Sequence, residues 1–405
     1  MSHALWISIG AVALAAVIVA AVTWMLVSSG RVGRHGARVL PGSPPPLHRA
    51  ALLFDRSEAV EAPACAEEDD LDRELLRARL EETSKTGDET RAYRLAQVLA
   101  RLGDEDPSVT SRSNAREPVP AVFSPIGDED WVTSVASPGL DRALTGLMAL
   151  LGPEVITWHA HPAGRYGLAR GERVENQPKA PRLAELAPMV ARAVGVPAPQ
   201  LYLTPQRDAR LVHVNLSVAG RFASALAVGK EGLSFEDESI MLFMLGRKLT
   251  FMRPEHLLCT AVDGPEDLRA LHLAVAQVLD PGTLPEPPAI VLGKVRSEAL
   301  SLLRQYFGEA DLAAAMRRLL RLSRERFVEE EPSHSGRWER WLVASAETSF
   351  RLGLLLCGDL RAGLKILDLD GVIPGTHREH VQCYQALYRF YLSDEYARLR
   401  RILTG

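Results

Sequence analysis

The chain has 405 residues, with 47 lysines and arginines against 51 aspartates and glutamates, and a formal net charge of −4. This length is enough to bury one large core or two smaller ones. Because acidic and basic residues are interspersed, the composition gives no reason to expect nucleic acid as a partner. The cysteines are Cys65, Cys259, Cys357 and Cys383. They form no CxxC pair, which excludes a zinc-ribbon spacing or a disulfide framework and suits a reducing compartment.

The first element in chain order is an uncharged apolar run at residues 4–27. Such a run is long enough to cross a hydrocarbon core of about 30 Å as a single helix. Trp6 and Trp24 lie near its two ends, where amphipathic rings favour the headgroup layers. A cleaved signal peptide would need a basic start and a shorter apolar core, and this segment has neither. We therefore predict a single-pass transmembrane anchor at residues 1–29.

The flanking charges predict the orientation of this anchor. Arg31, Arg34 and Arg38 follow the apolar run, and no lysine or arginine precedes it. The positive-inside rule then places the short N-terminus outside and the rest of the chain in the cytoplasm, so we expect an inner-membrane protein. The expected membrane-interface residues are Trp6, Trp24, Arg31 and Arg34. Small residues four apart in the run could also let two anchors pair as a homodimer, although alanine-rich helices show this spacing by chance.

A proline-rich tether and a helical hairpin follow the anchor. The prolines of residues 30–66 block helix formation and favour a stiff spacer. Residues 67–103 carry two amphipathic helical patterns, the second at residues 88–102 with Gly103 as its C-cap. The hairpin is tetratricopeptide-like in composition, but one such unit cannot bury its own apolar face and no repeat follows. We expect it to dock on the main domain or on a partner, with residues 104–127 as a linker.

Residues 128–405 alternate helical patterns with a few short strands, so the predicted fold class is α+β and mostly α-helical. Helices are predicted at residues 138–151, 182–194, 267–279, 295–307, 311–327, 338–356, 360–367 and 377–403. The runs at 200–204, 211–216 and 224–229 alternate or are β-branched, and they predict a small antiparallel sheet.

The order of these elements is similar to that of a known enzyme family. A helix ends in Gly-Val-Pro-Ala-Pro, the strand Gln-Leu-Tyr-Leu-Thr follows, and Ser-Ala-Leu-Ala-Val-Gly leads through Gly-Leu-Ser-Phe-Glu-Asp-Glu into a long apolar helix. This arrangement resembles the gluzincin metallopeptidases of the heat-shock and CAAX-prenyl-protease type. The resemblance implies a zinc ion held by a His-Glu-x-x-His helix and by a glutamate of a downstream helix.

The zinc motif itself is absent. Aligning Gly246 with the glycine that commonly precedes the motif places Arg247-Lys248-Leu249-Thr250-Phe251 on its five positions. Arg247 and Lys248 cannot ligate a divalent cation while protonated, and Phe251 has no lone pair to offer. Two cations at short range would instead repel zinc by several kcal/mol. We therefore predict a degenerate motif with no bound metal, no cofactor and no catalytic residue.

Residues 341–367 resemble the family's downstream helix, followed by Gly-Asp and another helix. Glu347 is the nearest counterpart of the third zinc ligand, but it lies one residue from the matching position. The alternative interpretation is a surface or capping carboxylate beside Arg351, one helical turn away. Cys357, in a leucine-rich run, is expected to be an inert core residue.

Other histidines leave an alternative open. A zinc-dependent hydrolase with a non-standard ligand set would use residues such as His256, His272 and Glu347. His377 and His380 lie one helical turn apart, which is a spacing that metal ligands can use but that solvent-exposed histidines also show.

His159 and His161 alternate as ligands on one strand would, although a surface loop or edge strand explains them without a metal. The aromatic residues of the last helix predict a buried stripe or, alternatively, an exposed patch for a partner. They are Tyr384, Tyr388, Phe390, Tyr391 and Tyr396.

The first functional hypothesis is a membrane-anchored, non-catalytic metallopeptidase-like protein that binds a protein partner at the cytoplasmic face. It resembles the degenerate gluzincin-like domains that bacterial proteins attach to tetratricopeptide helices. The second is the zinc hydrolase with the unusual ligand set. The third is a helical scaffold with no peptidase ancestry.

Overall fold

A computed structural model describes residues 71–115, 119–168, 173–174, 181–204, 210–262, 264–279, 317, 336–370 and 377–405. All of these belong to one compact unit, residues 44–405. Outside the described residues lie the predicted anchor at residues 1–29, its flanking arginines, the tether at 30–66, the helix at 295–307 and all but one residue of the helix at 311–327. Within the described part of the chain, no helix combines the length and the apolarity needed to cross a membrane.

The described residues form a mostly helical structure with one small sheet, which confirms the predicted fold class at this level. In chain order, the helices are α1 (Arg73–Thr86), α2 (Glu89–Arg101), α3 (Pro107–Ser113), α4 (Arg142–His159), α5 (Pro181–Val194), α6 (Glu238–Thr250), α7 (Pro265–Leu279), α8 (Gly336–Cys357), α9 (Leu360–Asp370), α10 (His377–Leu392) and α11 (Asp394–Thr404). The strands are β1 (Gln200–Leu203), β2 (Val212–Val218) and β3 (Arg221–Val228). Shorter helical turns are Asp128–Asp130, the π-helical turn Trp131–Val135, Ala163–Tyr166, Lys230–Leu233 and Leu257–Thr260.

Short acidic side chains set the starts of the first three helices. The Asp72 carboxylate accepts two backbone N–H groups at the start of α1, and the Asp88 carboxylate accepts that of Arg91 at the start of α2. Gly87, with φ +78°, ends α1 and allows the tight connection. The predicted second helix of the hairpin is therefore confirmed as α2.

Part of the linker predicted at residues 104–127 is helical. Asp106 caps α3 by accepting the backbone N–H of Ser108, and Pro107 occupies the first helical position. Phe123, farther along the same segment, is 1 % exposed and belongs to the main core. The polar and proline-rich composition predicted a linker, but these residues instead cap a short helix and form a connection that packs on the core.

Helix α4 also differs from its prediction, since it begins four residues later and ends eight residues later than residues 138–151. The Gly152-Pro153 pair does not end it. Val155 and Ile156, one turn beyond the proline, are buried in the core, and this packing outweighs the cost of the missing N–H donor.

The sheet is mixed, so the antiparallel prediction is wrong for one of its two strand pairs. Strand β3 is central, with β2 antiparallel on one side and β1 parallel on the other. Only β2 and β3 are joined by a tight turn, whereas the chain that leaves β1 reaches the far side of β3 before it forms β2. Short alternating runs give the strand positions but carry no signal for strand direction.

The two-residue turn between β2 and β3 offers a simple stability test. Both turn residues have positive φ, +50° at Ala219 and +75° at Gly220, and alanine is unfavourable in this left-handed region. We expect Ala219→Asn to raise the free energy of unfolding by about 1 kcal/mol, measured by urea unfolding. Ala219→Val should lower it, and a loss of stability with asparagine would contradict this turn geometry.

Helix α6 lies at the centre of the fold, packed by α5, α8 and α9. Nearly every residue of α6 is buried, including polar ones, so this helix has no solvent-facing stripe. A helix that is enclosed on all sides fixes the relative positions of its neighbours.

Buried arginines cap the ends of helices from a distance. Arg253 donates to the carbonyl oxygen of Val194, the last residue of α5, at 3.0 Å. Arg400 donates to the carbonyl oxygen of Leu355 in the last turn of α8 at 2.7 Å. Arg94 does the same for the last turn of α10. These cations satisfy carbonyl groups that have no partner within their own helix and lie at the negative ends of the helix dipoles.

The helical hairpin docks on the main domain through Gln97, which is 1 % exposed. Its side-chain amide donates from Nε2 to Asp359 Oδ1 at 2.9 Å. Its Oε1 accepts from the backbone N–H of Leu360 and from the Tyr391 hydroxyl, both at 2.9 Å. Asp359 also caps the start of α9. The hairpin is therefore part of the same core as the main domain rather than an appendage.

Replacing Gln97 with leucine should lower the free energy of unfolding by about 2 kcal/mol, because the backbone N–H of Leu360 would be left buried without its acceptor. Urea unfolding of the full chain in detergent measures this loss. Glu89→Ala, at an exposed position on the same helix, is the control and should change stability by less than about 0.5 kcal/mol. Equal stability of the two variants would show that the Gln97 contacts do not stabilise the docked hairpin.

The helix predicted at residues 377–403 is interrupted at Ser393, whose hydroxyl accepts the backbone N–H of Tyr396 and begins α11. A serine N-cap can thus separate two consecutive helices without a glycine or a proline between them. Tyr391 and Tyr396 are almost fully buried and pack edge to face at 4.9 Å between ring centroids. The aromatic stripe is thus mainly core, as the first of the two interpretations predicted.

Candidate functional site

Residues 247–251, which the sequence alignment places on the zinc motif, follow Gly246, where α6 and α8 are in close contact. A Cβ atom added to Gly246 would lie 2.8 Å from the Cα atom of Gly353, and one added to Gly353 would lie 2.9 Å from the carbonyl oxygen of Phe243. The two helices therefore touch backbone to backbone at this point. Both positions require glycine because a Cβ atom would collide with the facing helix, and not because the backbone adopts a positive φ there.

Arg247, at the first motif position, is 8 % exposed and points toward α8. Its guanidinium carbon lies 4.8 Å from the centroid of the Phe350 ring and 6.0 Å from that of Phe243. Contacts of this kind between a cation and aromatic faces stabilise a buried arginine. An arginine that stays protonated at this position cannot serve as a metal ligand.

Phe251, at the last motif position, contacts a different element. Its ring meets that of His213 on β2 edge to face, with 6.0 Å between centroids. Burial, and then the charge of Lys248, lower the pKa of His213 to about 3, so this imidazole is neutral. Because Arg247 faces α8 and Phe251 faces β2, the two outer motif positions do not converge on one point.

Glu347 is partly buried and ties α8 to the chain that precedes α4. Its Oε2 accepts from the Ser137 hydroxyl at 2.7 Å, and its Oε1 lies 3.9 Å from the Arg351 guanidinium. The predicted contact with Arg351 is present, but the carboxylate is an internal link between segments rather than a surface group. Arg351 extends this link by donating to the carbonyl oxygens of Ser134 and Ala136.

His256 and His272 are both buried, and their rings contact α8 at two separate places. His256 Nδ1 lies 3.2 Å from Ser345 Oγ, whereas the ring of His272 packs at 5.1 Å from that of Trp338. Ser345 and Trp338 are seven residues apart, or about 10 Å along a helix axis. Burial lowers the pKa of each histidine to about 4, so both are neutral at physiological pH.

The alternative zinc ligands are therefore not brought together. His256, His272 and Glu347 each have their own protein neighbours, and the described residues contain no group of three His, Cys, Asp or Glu side chains placed to hold a metal ion. The ligand set proposed for a zinc hydrolase thus lacks the geometry that it requires. The side chains of His377 and His380 lie outside the described part of the structure.

The described thiols follow their simpler interpretation, and the remaining histidine pair follows it in part. Cys357 is 1 % exposed, as predicted for a core residue. Burial raises the pKa of Cys259 and of Cys383 to about 12, which leaves too little thiolate for a nucleophile. His161 forms a β-bridge with Leu216 of β2 and so occupies a sheet edge as predicted. His159 is instead the last residue of α4, so the loop or strand prediction is wrong for it.

A buried polar cluster follows α6, and sequence reasoning did not identify it. Arg253 donates from Nε to Glu255 Oε1 at 2.5 Å, and its guanidinium carbon lies 4.1 Å from the Trp131 ring centroid. The next residue, His256, lies between Trp131 and Trp341, with 6.4 Å between centroids in each case. The sequence did carry one signal for this cluster, since Arg253 and Glu255 place opposite charges on either side of Pro254 directly after an apolar helix.

The charge states of this cluster follow from its contacts. Burial alone would raise the pKa of Glu255, but the charge of Arg253 and the hydrogen bond from Arg253 lower it below its usual value. The carboxylate is therefore ionised and paired with a buried arginine. The pair joins the end of α5, the π-helical turn and the loop after α6.

Comparisons of this chain with protein-family models, with curated proteins and with solved structures returned no match.

Proposed function

We propose that this chain is a membrane-anchored, non-catalytic metallopeptidase-like protein that acts as a protein-binding or scaffolding module at the cytoplasmic face. The observation that carries the proposal is the burial of Arg247 against Phe350 at the position where the resemblance requires the first zinc ligand. A fixed cation and two aromatic rings occupy the helix contact that a metal site would need to keep open.

The sequence supports the proposed location at a membrane, and the surface offers positions at which a partner can be probed. The apolar run, the arginines that follow it and the proline-rich tether would hold the domain near a membrane on a stiff spacer. Large apolar side chains are exposed on several elements: Leu75, Val122, Val212, Val218, Leu369 and Ile402. Because they lie on different elements, they do not by themselves define a docking patch, and they serve as the positions at which a partner is probed.

Site-specific photocrosslinking in native membranes tests this proposal. A photoreactive amino acid placed at Val122 (61 % exposed) or at Val218 (47 % exposed) should give a discrete protein adduct at one of these positions. The same amino acid at the exposed Lys85 is the matched control and should give none. Deleting residues 1–29 should release the domain from washed membranes and abolish the adduct. Peptide hydrolysis by the purified chain, or no specific adduct at either position, would contradict the proposal.

A further inference from the structure

Three polar atoms in the cluster after α6 have no hydrogen-bond partner within the described part of the chain. They are the Trp131 indole Nε1, Glu255 Oε2 and His256 Nε2. All three side chains are fully buried, at 0 % exposure. Leaving a buried polar group unpaired is unfavourable, so three in one cluster call for a physical explanation.

The three side chains are neighbours in one buried cluster. The Trp131 ring lies 4.1 Å from the Arg253 guanidinium carbon and 6.4 Å from the centre of the His256 ring. Arg253 in turn holds the other carboxylate oxygen of Glu255 at 2.5 Å. Trp131 also begins the π-helical turn, and such turns are frequent at functional sites because they alter where side chains point.

The chemistry of these atoms defines what they can bind. The indole Nε1 only donates, the ionised carboxylate only accepts, and the imidazole Nε2 does either according to its tautomer. A ligand must therefore both accept and donate. The Arg253 guanidinium disfavours a metal cation at this place, and the carboxylate disfavours an anion.

We propose that Trp131, Glu255 and His256 form an internal binding site for a small neutral polar molecule that accepts from the indole and donates to the carboxylate. Water has this chemistry, as has a small hydroxylated or amide solute. Bound in this way, the molecule links the π-helical turn to the loop after α6. It satisfies three groups that the protein chain itself leaves unpaired.

The test replaces Trp131 in the full chain with 3-benzothienylalanine, which keeps the shape of the indole but lacks its N–H. If Trp131 donates to a bound molecule, the folding equilibrium constant should fall about fivefold, which is the usual loss for one hydrogen bond. The same replacement at Trp341 is the reference, because its Nε1 donates to Thr145 Oγ1 at 3.1 Å. Similar losses at both positions support the site, and a loss at Trp341 alone overturns it.

An NMR measurement on the unaltered chain keeps the test decisive if a variant does not fold. The Trp131 indole N–H should show the downfield proton shift of a hydrogen-bonded group, and a shift typical of an unbonded indole overturns the site. Refolding from denaturant in plain buffer then separates the two ligand sources. A shift that is retained identifies water, and one that is lost identifies a solute carried through purification.

Discussion

Replacing Gly353 with alanine is expected to lower the free energy of unfolding by about 3 kcal/mol or more, at the upper end of the range for overpacked cores. The new Cβ atom would lie 2.9 Å from the carbonyl oxygen of Phe243 and 2.9 Å from an atom of its ring. Backbone cannot move aside as a flexible side chain can, so α6 and α8 would have to separate. The better helix propensity of alanine would return only about 1 kcal/mol.

Gly246→Ala should have a comparable effect, because its Cβ would lie 2.8 Å from Gly353 Cα on the facing helix. Gly264→Ala is the matched control, since a Cβ added there meets nothing within 4 Å. Urea unfolding of the three full-length variants in detergent compares them directly. If the two helix variants unfold at the same urea concentration as the control, the backbone contact between α6 and α8 is not as close as described.

The protein should lose stability in mild acid because His256 and His272 are buried in the neutral form. Each has a pKa lowered by burial to about 4, against 6.5 for an unperturbed histidine. Between these values the unfolded chain binds more protons than the folded chain, so stability is fully present above pH 6.5 and falls as the pH approaches 4. The difference corresponds to about 3 kcal/mol for each histidine.

Unfolding free energies measured by urea titration at intervals from pH 7 to pH 4 test this expectation. Each of His256→Gln and His272→Gln should make the decline shallower by about 1.4 kcal/mol per pH unit, the value for one proton. Val218→Thr, at an exposed position without a titratable group, should leave the slope unchanged. A slope that is the same in all three variants would show that the buried histidines do not titrate as their burial requires.

The helices were predictable because their apolar residues recur at helical spacing, as α2 and α5 show. Their ends were predictable only where a local signal existed, such as Gly87 or Asp88. Pro153 gave a misleading signal, since contacts made by Val155 and Ile156 elsewhere in the fold sustain α4. Strand direction depends on distant pairing, and no local pattern carries it.

The site was predictable in part. The motif positions gave the identities of Arg247 and Phe251, but not that one faces α8 and the other β2. The separation of His256 from His272 depends on which turn of α8 each contacts, which the spacing of histidines in the chain does not encode. Gln97, which docks the hairpin, meets partners more than 250 residues away in the sequence.

Metal analysis of the full chain tests the central claim most directly. The chain should be purified from membranes without chelators, then supplied with excess zinc and dialysed. A non-catalytic protein with Arg247 in the helix contact should retain no stoichiometric zinc and show no zinc-dependent rise in melting temperature. One zinc per chain, lost in Glu347→Gln or His256→Gln together with a zinc-dependent hydrolase activity, would contradict the account.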